Sequence, residues 1–267
     1  MAEKVDILVI GGGPAGVVSA VTAKKYYPDK KISVMKDIEK GVIPCGIPYM
    51  FASLKNPDEN KLGNADLEKN HTDVIIDKAV KINRDKKIVE TKNKKKYCYQ
   101  KLVLATGSLP VVPPIPGIDK EGIYPIFKEM DYLKSSIKKI KKTKNIFILG
   151  GGFIGVEFAD EISKIEGLNV YLVEMLPYLF ANSFDLEFSK IAEKKLKSKG
   201  VNVLTNTRIE EFLGNKKLEK IRLSNGKELP ADSVILGVAS IPNTQLAFDA
   251  GLDLGRGKGI WVDEYMR

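Results

Sequence analysis

Two glycine-rich stretches constrain this chain more than any other feature of its sequence. Gly11–Gly16 and Gly150–Gly155 both fit the pattern G-x-G-x-x-G. Each follows an apolar run, at Val5–Ile10 and Ile146–Leu149, and each precedes apolar residues at helical spacing. A strand, a glycine turn and a helix in this order let backbone N–H groups approach a pyrophosphate at the positive end of the helix. One match could be a coincidental turn, but two in one chain predict two nucleotide-binding α/β units.

The composition is that of a globular protein of one large or two ordinary domains, with 43% hydrophobic and 29% charged residues. Neither a membrane-spanning apolar run nor a signal peptide is recognisable, so we expect a cytoplasmic protein without a membrane span. The net charge of +9 comes chiefly from lysine runs without interleaved aromatic residues. We interpret these runs as solvated surface rather than a nucleic-acid site, with steering of anionic nucleotides as the alternative. The single histidine, His71, has no cysteine at ligand spacing, which predicts no metal site.

Cys45 lies between the two glycine loops and is fixed by Pro44, Gly46 and Pro48. The pattern predicts a helix over 46–54, whose positive end would favour the reactive thiolate of this cysteine. The alternative is a small buried hydrophobic side chain, which is the commonest role of cysteine. The prolines and the glycine around the sulfur favour the reactive interpretation.

The intervening segments predict the domain organisation. Alternating apolar residues over 73–99 predict a β meander, on which Cys98 has a structural role, followed by a buried strand at 102–105. Four prolines between Leu109 and Gly117 predict a linker. We therefore expect a first domain over 1–111, a second over 112–240, and a return to the first over 241–267 with a strand at 260–262.

The two units differ at the end of their second strand. An acid at this position usually accepts a ribose hydroxyl, about 20 residues after the glycines. Strand phase places Lys36 there in the first unit, while Asp37 and Glu39 are out of phase. The second unit has Glu174, which would accept the ribose hydroxyl of NADH and repel the 2′-phosphate of NADPH. This pattern favours NADH as the nucleotide of the second unit.

Taken together, these pieces resemble the two-dinucleotide-domain flavoproteins, the pyridine nucleotide-disulfide oxidoreductases. The matching stretches are Gly11–Gly16, Ala105–Pro110, Gly150–Glu157, Pro242–Thr244 and Val262–Met266. Cys45–Tyr49 is similar to the single-cysteine branch, which contains coenzyme A-disulfide reductases, NADH-dependent persulfide or polysulfide reductases, and NADH oxidases and peroxidases. The resemblance implies a glutathione reductase-like α/β fold with two Rossmann-like domains, FAD on the first unit and NAD(P)H on the second. It also implies a redox-active Cys45 that reduces a small disulfide, persulfide or polysulfide.

The resemblance further implies the site residues. Phe153 stands where the family has an aromatic gate over the nicotinamide face of the flavin, and Glu157 where it has a glutamate near the flavin. The alternatives are a packing aromatic residue and a surface acid. The implied cofactor contacts are Gly11, Gly13, Pro14, Ala15, Gly16, Lys36, Val80, Ala105, Thr106 and Gly107 in the first unit, and Gly150, Gly152, Phe153, Ile154, Gly155, Glu174 and Ala239 in the second.

The chain also departs from that family. Oxidases and peroxidases of the branch have a histidine where this chain has Pro14, and coenzyme A-disulfide reductases commonly have asparagine where it has Pro44. Family members continue beyond the position of Arg267 into a flavin-binding stretch and a dimerisation domain. Full-length relatives would be homodimers, whereas we expect this chain to be monomeric or weakly associated, with weakly held FAD. The alternative functions are an NADH oxidase and a nucleotide-binding fragment without turnover.

Overall fold

The strands and helices follow the apolar pattern of the sequence closely over residues 2–267, which the computed structural model describes. The strands are β1 (Glu3–Ile10), β2 (Ile32–Lys36), β3 (Gly41–Val42), β4 (Lys61–Leu62), β5 (Asp73–Ile76), β6 (Ala79–Asn83), β7 (Ile88–Thr91), β8 (Lys96–Leu104), β9 (Ser108–Pro110), β10 (Ile123–Pro125), β11 (Asn145–Leu149), β12 (Asn169–Val173), β13 (Asn202–Leu204), β14 (Ile209–Leu213), β15 (Lys220–Leu223), β16 (Glu228–Pro230), β17 (Ser233–Leu236) and β18 (Ser240–Pro242). The α-helices are α1 (Pro14–Tyr26), α2 (Ala65–Lys69), α3 (Met130–Ile140), α4 (Phe153–Ile162), α5 (Leu186–Ser198) and α6 (Gln245–Asp249). Short 3-10 helices occupy Pro44–Gly46, Pro48–Phe51 and Pro57–Asn60.

The chain divides into two units by its internal contacts. The first unit contains the residues up to Ile43, Lys61–Leu109 and Ile241–Arg267, and the second contains Pro44–Asn60 and Pro110–Ser240. The segment with Cys45 therefore groups with the second unit, although the predicted first domain, 1–111, includes it. The division by contacts does not show which nucleotide each segment binds. The predicted domain ranges, which are defined by the nucleotide, therefore stay predictions.

The first unit is built on a six-stranded sheet with the order β5-β2-β1-β8-β7-β6. Strands β5, β2, β1 and β8 are parallel, whereas β7 and β6 are antiparallel additions at one edge. Two expectations were wrong here. β5 is not part of the meander but pairs in parallel with β2, and the predicted strands at 97–99 and 102–105 are one strand, β8. β8 is continuous because β1 provides hydrogen-bonding partners along it, from Tyr97 to Leu104.

Helices cover the sheet of the first unit because both of its faces are apolar. One face packs α1 through Val17 and Ala20 against the strand residues Val9 and Val34. The opposite face buries Leu8, Met35, Val89 and Tyr97 among others. Near-complete burial of such parallel strands is typical of α/β proteins.

The second unit has a parallel five-stranded sheet with the order β10-β17-β11-β12-β13 and a separate antiparallel sheet, β14-β15-β16. An Asn225-Gly226 turn joins β15 to β16, and Gly226 has a φ of 79°. Phe147, Val234 and Ile221 belong to the core that joins the two sheets. The predicted α/β class with two Rossmann-like units is confirmed.

Two further expectations about elements were wrong. The helix predicted over 46–54 is replaced by two 3-10 turns, because Pro48 begins a new turn only three residues after Cys45. No strand forms at 260–262 in the described chain, where Ile260 makes an isolated bridge with Leu254 and Trp261 is 66% exposed. None of the helices described is both long enough and apolar enough to cross a bilayer.

Candidate active site

The first glycine loop connects β1 to α1 and is shaped by close backbone contacts. Gly11 has a φ of 115°, and a Cβ atom there would overlap the carbonyl oxygen of Ala105. A Cβ at Gly16 would overlap the carbonyl oxygen of Gly11. By contrast, a Cβ at Gly13 would have no atom within 4 Å. Gly13 caps α1, so the helix N-terminus opens onto a space bounded by backbone.

The second loop, from β11 to α4, repeats this geometry. Gly150 has a φ of 108°, and its Cβ position lies 2.8 Å from the carbonyl oxygen of Gly237. A Cβ at Gly155 would overlap the carbonyl oxygen of Gly150, while one at Gly152 would again have no atom within 4 Å. Both loops therefore leave an open cradle at a helix N-terminus, which fits the phosphates of a dinucleotide.

The residue beneath each loop differs in charge. Lys36 ends β2, is 8% exposed, and its Nζ donates to Glu39 O at 3.0 Å and to Asn64 Oδ1 at 2.7 Å. Burial lowers the pKa of Lys36. Glu174, also 8% exposed, accepts hydrogen bonds from the N–H groups of Gly151 and Leu176. The acid thus lies under the second loop and a lysine under the first, as strand phase predicts.

A cavity of about 380 Å³ adjoins the first loop. Gly11, Lys36, Val80 and Thr106 line it, so the structure brings these predicted residues together. Asn243, which the sequence reasoning did not assign to the site, fixes this edge. It accepts from Thr106 Oγ1 at 2.5 Å through its carbonyl oxygen and donates from Nδ2 to Thr106 O at 3.3 Å. The Pro242-Asn243-Thr244 match was the available signal.

Cys45 is an exposed free thiol in the 3-10 turn Pro44–Gly46. The expected α-helix N-terminus is therefore absent behind it, and the helix-dipole argument for its reactivity does not apply. Gly46 is required for a different reason, since a Cβ there would overlap Asn60 Oδ1. Asn60 Nδ2 in turn donates to Met50 Sδ at 3.2 Å. The exposure excludes the alternative of a buried structural cysteine.

The segment that contains Cys45 is anchored on α4. Glu161 is 3% exposed and accepts the N–H of Ser53 at 3.1 Å. Lys164 donates to Glu161 and also to Ser53 Oγ at 2.9 Å. Phe51 and Phe158 add an edge-to-face contact with ring centroids 5.1 Å apart. Sequence reasoning missed this network, because more than 100 positions separate Ser53 from Glu161.

Helix α4 also presents the two predicted side chains Phe153 and Glu157 on one face, four residues apart. Phe153 is 52% exposed and packs against Phe180 and Phe184 at ring-centroid distances of 5.2 and 5.7 Å. Neighbouring side chains partly desolvate the carboxyl group of Glu157 and raise its pKa, although the residue lies at the surface. Glu157 and Tyr49 line a cavity of about 340 Å³.

These features agree with a comparison of the whole chain. A family model described as pyridine nucleotide-disulphide oxidoreductase matches residues 5–267. The chain belongs to this family. The resemblance that its motifs indicate is thereby confirmed.

Individual relatives of this chain have names that give different activities. The chain is 31% identical to an NADH oxidase of Methanocaldococcus jannaschii, over 97% of this chain and 60% of that protein. It is also 31% identical to the NAD(P)H coenzyme A polysulfide/persulfide reductase of Pyrococcus horikoshii, over 99% of this chain and 60% of that protein. A solved structure of an NAD-dependent persulfide reductase from A. fulgidus superposes with a TM-score of 0.91 at 31% identity, covering 98% of this chain and 51% of that one. The chain spans about 60% of the length of each of these two curated relatives.

The remaining predicted residues lie at helix starts and in turns. Pro14, Ala15 and Ile154 are exposed at the helix starts, and Gly107 is a turn residue with a φ of 70° and open space at its Cβ position. Ala239 is exposed, and its carbonyl oxygen accepts from Val111 N–H. The residue in close contact with the second loop is Gly237 instead. No local pattern in the sequence predicts this contact.

Proposed function

We propose that this chain is the nucleotide-binding and cysteine-bearing part of a flavoprotein reductase. Electrons from NADH would reach Cys45 by way of FAD and reduce a small disulfide, persulfide or polysulfide. One observation carries the proposal: the exposed thiol of Cys45 lies on a segment fixed to α4, and α4 begins at the second pyrophosphate cradle. A thiol and a dinucleotide cradle are thus joined within one unit.

The residues of the two cradles suit their proposed nucleotides. Gly13 and the N-terminus of α1 would hold the pyrophosphate of FAD, with Val80 and Thr106 along its adenosine side. Gly152 and the N-terminus of α4 would hold that of NADH, and Glu174 would accept its ribose hydroxyl. When bound, the flavin supplies two-electron transfer between a nicotinamide and a sulfur–sulfur bond.

Cys45 has a defined part in such chemistry. Its thiolate attacks one sulfur of a disulfide R–S–S–R′, forming a Cys45–S–S–R bond and releasing R′S⁻. Two-electron reduction of that bond, which the flavin would supply when bound, would restore the Cys45 thiolate and release RS⁻. Each released thiolate takes a proton from water according to its own pKa. The solvent exposure of Cys45 is what this exchange requires.

Phe153 and Glu157 would support the same site. Phe153 is exposed beside Gly152, so its ring can cover or admit a nicotinamide and exclude water. Glu157 lies one turn further along α4, and its raised pKa lets it hold a proton at a higher pH than an ordinary glutamate.

Oxygen is the second candidate acceptor. The observation in its favour is the similarity to an NADH oxidase of Methanocaldococcus jannaschii, at the same 31% identity as the polysulfide/persulfide reductase. We place sulfur reduction first because Pro14 occupies the position at which oxidases of the single-cysteine branch have a histidine. We further propose a cytoplasmic protein, and a homodimer for the full-length relatives.

The decisive experiment compares two cysteine variants. Cys45→Ser should lower NADH-driven reduction of polysulfide or of a small disulfide by about a thousandfold, since the nucleophile is lost. Cys98→Ser is the matched control and should leave that rate unchanged. The wild type and both variants are supplied with FAD, and the oxidation of NADH is followed with and without oxygen. Sulfur reduction that survives in Cys45→Ser contradicts the proposal. Rapid oxidation of NADH by oxygen alone that is lost in Cys45→Ser favours the oxidase, whereas slow oxidation by oxygen is expected in all three proteins.

A further inference from the structure

We propose that the first nucleotide loop accepts adenosine nucleotides with a phosphate on the ribose, through Lys36. The first loop would then select a ribose that carries a phosphate, and the second loop a ribose with free hydroxyl groups. This inference rests on the proposed function only in that the first loop binds a nucleotide pyrophosphate.

The positions beneath the two loops are equivalent. A Cβ placed on Gly12 lies 2.5 Å from Lys36 Cδ, and one placed on Gly151 lies 2.8 Å from Glu174 Cβ. Each side chain therefore packs under the second residue of its own glycine loop. A nucleotide in either cradle would meet that side chain at its ribose.

The side chains at these two positions differ in hydrogen bonding: one accepts from its glycine loop and the other can only donate. In the second unit, the carboxylate of Glu174 accepts the N–H of Gly151, so a donor and an acceptor satisfy each other. In the first unit, no atom among residues 2–267 accepts the N–H of Gly12, and Lys36 can only donate. Two of the three N–H bonds of its ammonium group are used, by Glu39 O and Asn64 Oδ1. The first unit thus has only donors at these two residues, where the second unit has a matched donor and acceptor.

Such a pair of donors suits an acceptor of negative charge. A ribose phosphate has several acceptor oxygens and forms charge-assisted hydrogen bonds with an ammonium group. Ribose hydroxyl oxygens can also accept, so FAD is compatible with the same site. A carboxylate at this position would instead repel the phosphate, as expected for Glu174.

Acidic residues also line the cavity of the first unit, but they are not under the loop. Asp37 follows Lys36 just beyond the end of β2 and lines the same cavity, but the side chain next to the Cβ position of Gly12 is that of Lys36. Asp77 Oδ1 accepts the N–H of Lys78 at 2.8 Å, and Asp249 Oδ1 accepts from Gln245 Nε2 at 2.7 Å. Lys36 is thus the charged group that contacts the loop.

Competition against FAD tests the inference in the full chain and localises binding to the first unit. FAD binding is followed by its fluorescence, with 5′-ADP, 2′,5′-ADP and 3′,5′-ADP as competitors. We expect one of the two bisphosphates to compete about tenfold better than 5′-ADP in the wild type, the gain of one charge-assisted hydrogen bond. The bisphosphate that competes better shows whether the 2′- or the 3′-phosphate is selected.

Three variants separate the role of the charge from that of packing. Lys36→Met should abolish the preference for the bisphosphate and Lys36→Glu should reverse it. Asn64→Asp keeps Lys36 but places a carboxylate against its ammonium group. The net charge of the pair is then zero, and the preference should also be lost. Lys101→Met, an exposed lysine of the same unit outside the cavity, should retain it. Circular dichroism confirms folding, and Asn64→Asp decides the matter if the Lys36 variants do not fold.

The outcomes distinguish this inference from the proposed function. FAD binding with equal competition by all three nucleotides overturns the inference and leaves the flavin assignment intact. Direct titration of 2′,5′-ADP and 3′,5′-ADP covers the case in which FAD does not bind: binding that depends on Lys36 supports the inference and overturns the flavin assignment. Absence of all binding overturns both.

Discussion

The loops at Gly11 and Gly150 have the same backbone geometry but opposite charges beneath them. In both, the first glycine has a φ above 100° and the last packs on the carbonyl oxygen of the first. Beneath them lie Lys36 in one unit and Glu174 in the other, each 8% exposed. The shared part suits what all dinucleotides share, the pyrophosphate, and we propose that the different part discriminates between riboses.

The helices that follow the loops differ as well. Helix α1 contains no acidic residue along its whole length and presents small side chains to the sheet. Helix α4 holds Phe153, Glu157 and Glu161, and through Glu161 it fixes the segment of Cys45. In the proposed function both loops bind a nucleotide, and the helix after the second loop also fixes the segment of Cys45.

The largest expected effect tests whether the two loops are equivalent in their backbone packing. Gly16→Ala and Gly155→Ala should each lower the free energy of unfolding by about 3 kcal/mol or more, because the new Cβ overlaps a carbonyl oxygen. Urea unfolding measures both. Gly13→Ala and Gly152→Ala are the controls, with a change within about 1 kcal/mol but weaker nucleotide binding. Tolerance of alanine at one of Gly16 and Gly155 alone would break the equivalence.

The next effect concerns the anchoring that only α4 provides. Glu161→Leu should lower the free energy of unfolding by about 2 kcal/mol, because the N–H of Ser53 and the ammonium of Lys164 lose their acceptor. It should also increase the rate at which Cys45 is alkylated, measured by mass spectrometry.

Asp160→Leu is the control on the same helix, where the carboxylate bonds Lys199 and pairs with Lys164 at 3.9 Å but accepts no hydrogen bond from the Cys45 segment. Its alkylation rate should equal that of the wild type. Equal rates in all three proteins would show that Glu161 stabilises the fold without positioning the thiol.

A smaller effect tests the ribose end of the second loop. Glu174→Gln should reduce the preference for NADH over NADPH by about 1 kcal/mol, since the amide neither repels a 2′-phosphate nor accepts as strongly. Dissociation constants for both nucleotides from titration calorimetry give the preference. Should the wild type bind them equally, the contrast between the loops would not extend to selectivity.

The smallest effect follows from the carboxyl group of Glu157. Its raised pKa means that the folded protein holds this proton to a higher pH than the unfolded chain does. The contribution of Glu157 to stability therefore falls as the pH rises above 4.5, the ordinary pKa of a glutamate. Glu157→Gln should remove that slope, a change of less than about 0.5 kcal/mol because solvent screens this surface group. Thermal unfolding between pH 4 and 8 measures it, as a series at about one-unit steps, and an unchanged slope would refute the assignment.

The sequence by itself determined the two nucleotide units and the charge beneath each loop. A glycine turn between a strand and a helix is a local pattern, and period-two alternation is enough to place Lys36 and Glu174 under their loops. The same local information predicts Phe153 and Glu157 on one face of α4, since residues four apart share a helix face. The roles assigned to these residues stay proposals.

Only the tertiary structure decided how Cys45 is held. Neighbouring residues predicted a helix there, but the backbone forms 3-10 turns against Asn60 and α4. Likewise β8 is one strand because β1 pairs along it, and Gly237 rather than Ala239 contacts the second loop. These features depend on contacts between residues far apart in the chain, such as Ser53 and Glu161. A local pattern contains no information about such partners, because packing selects them only when the elements meet.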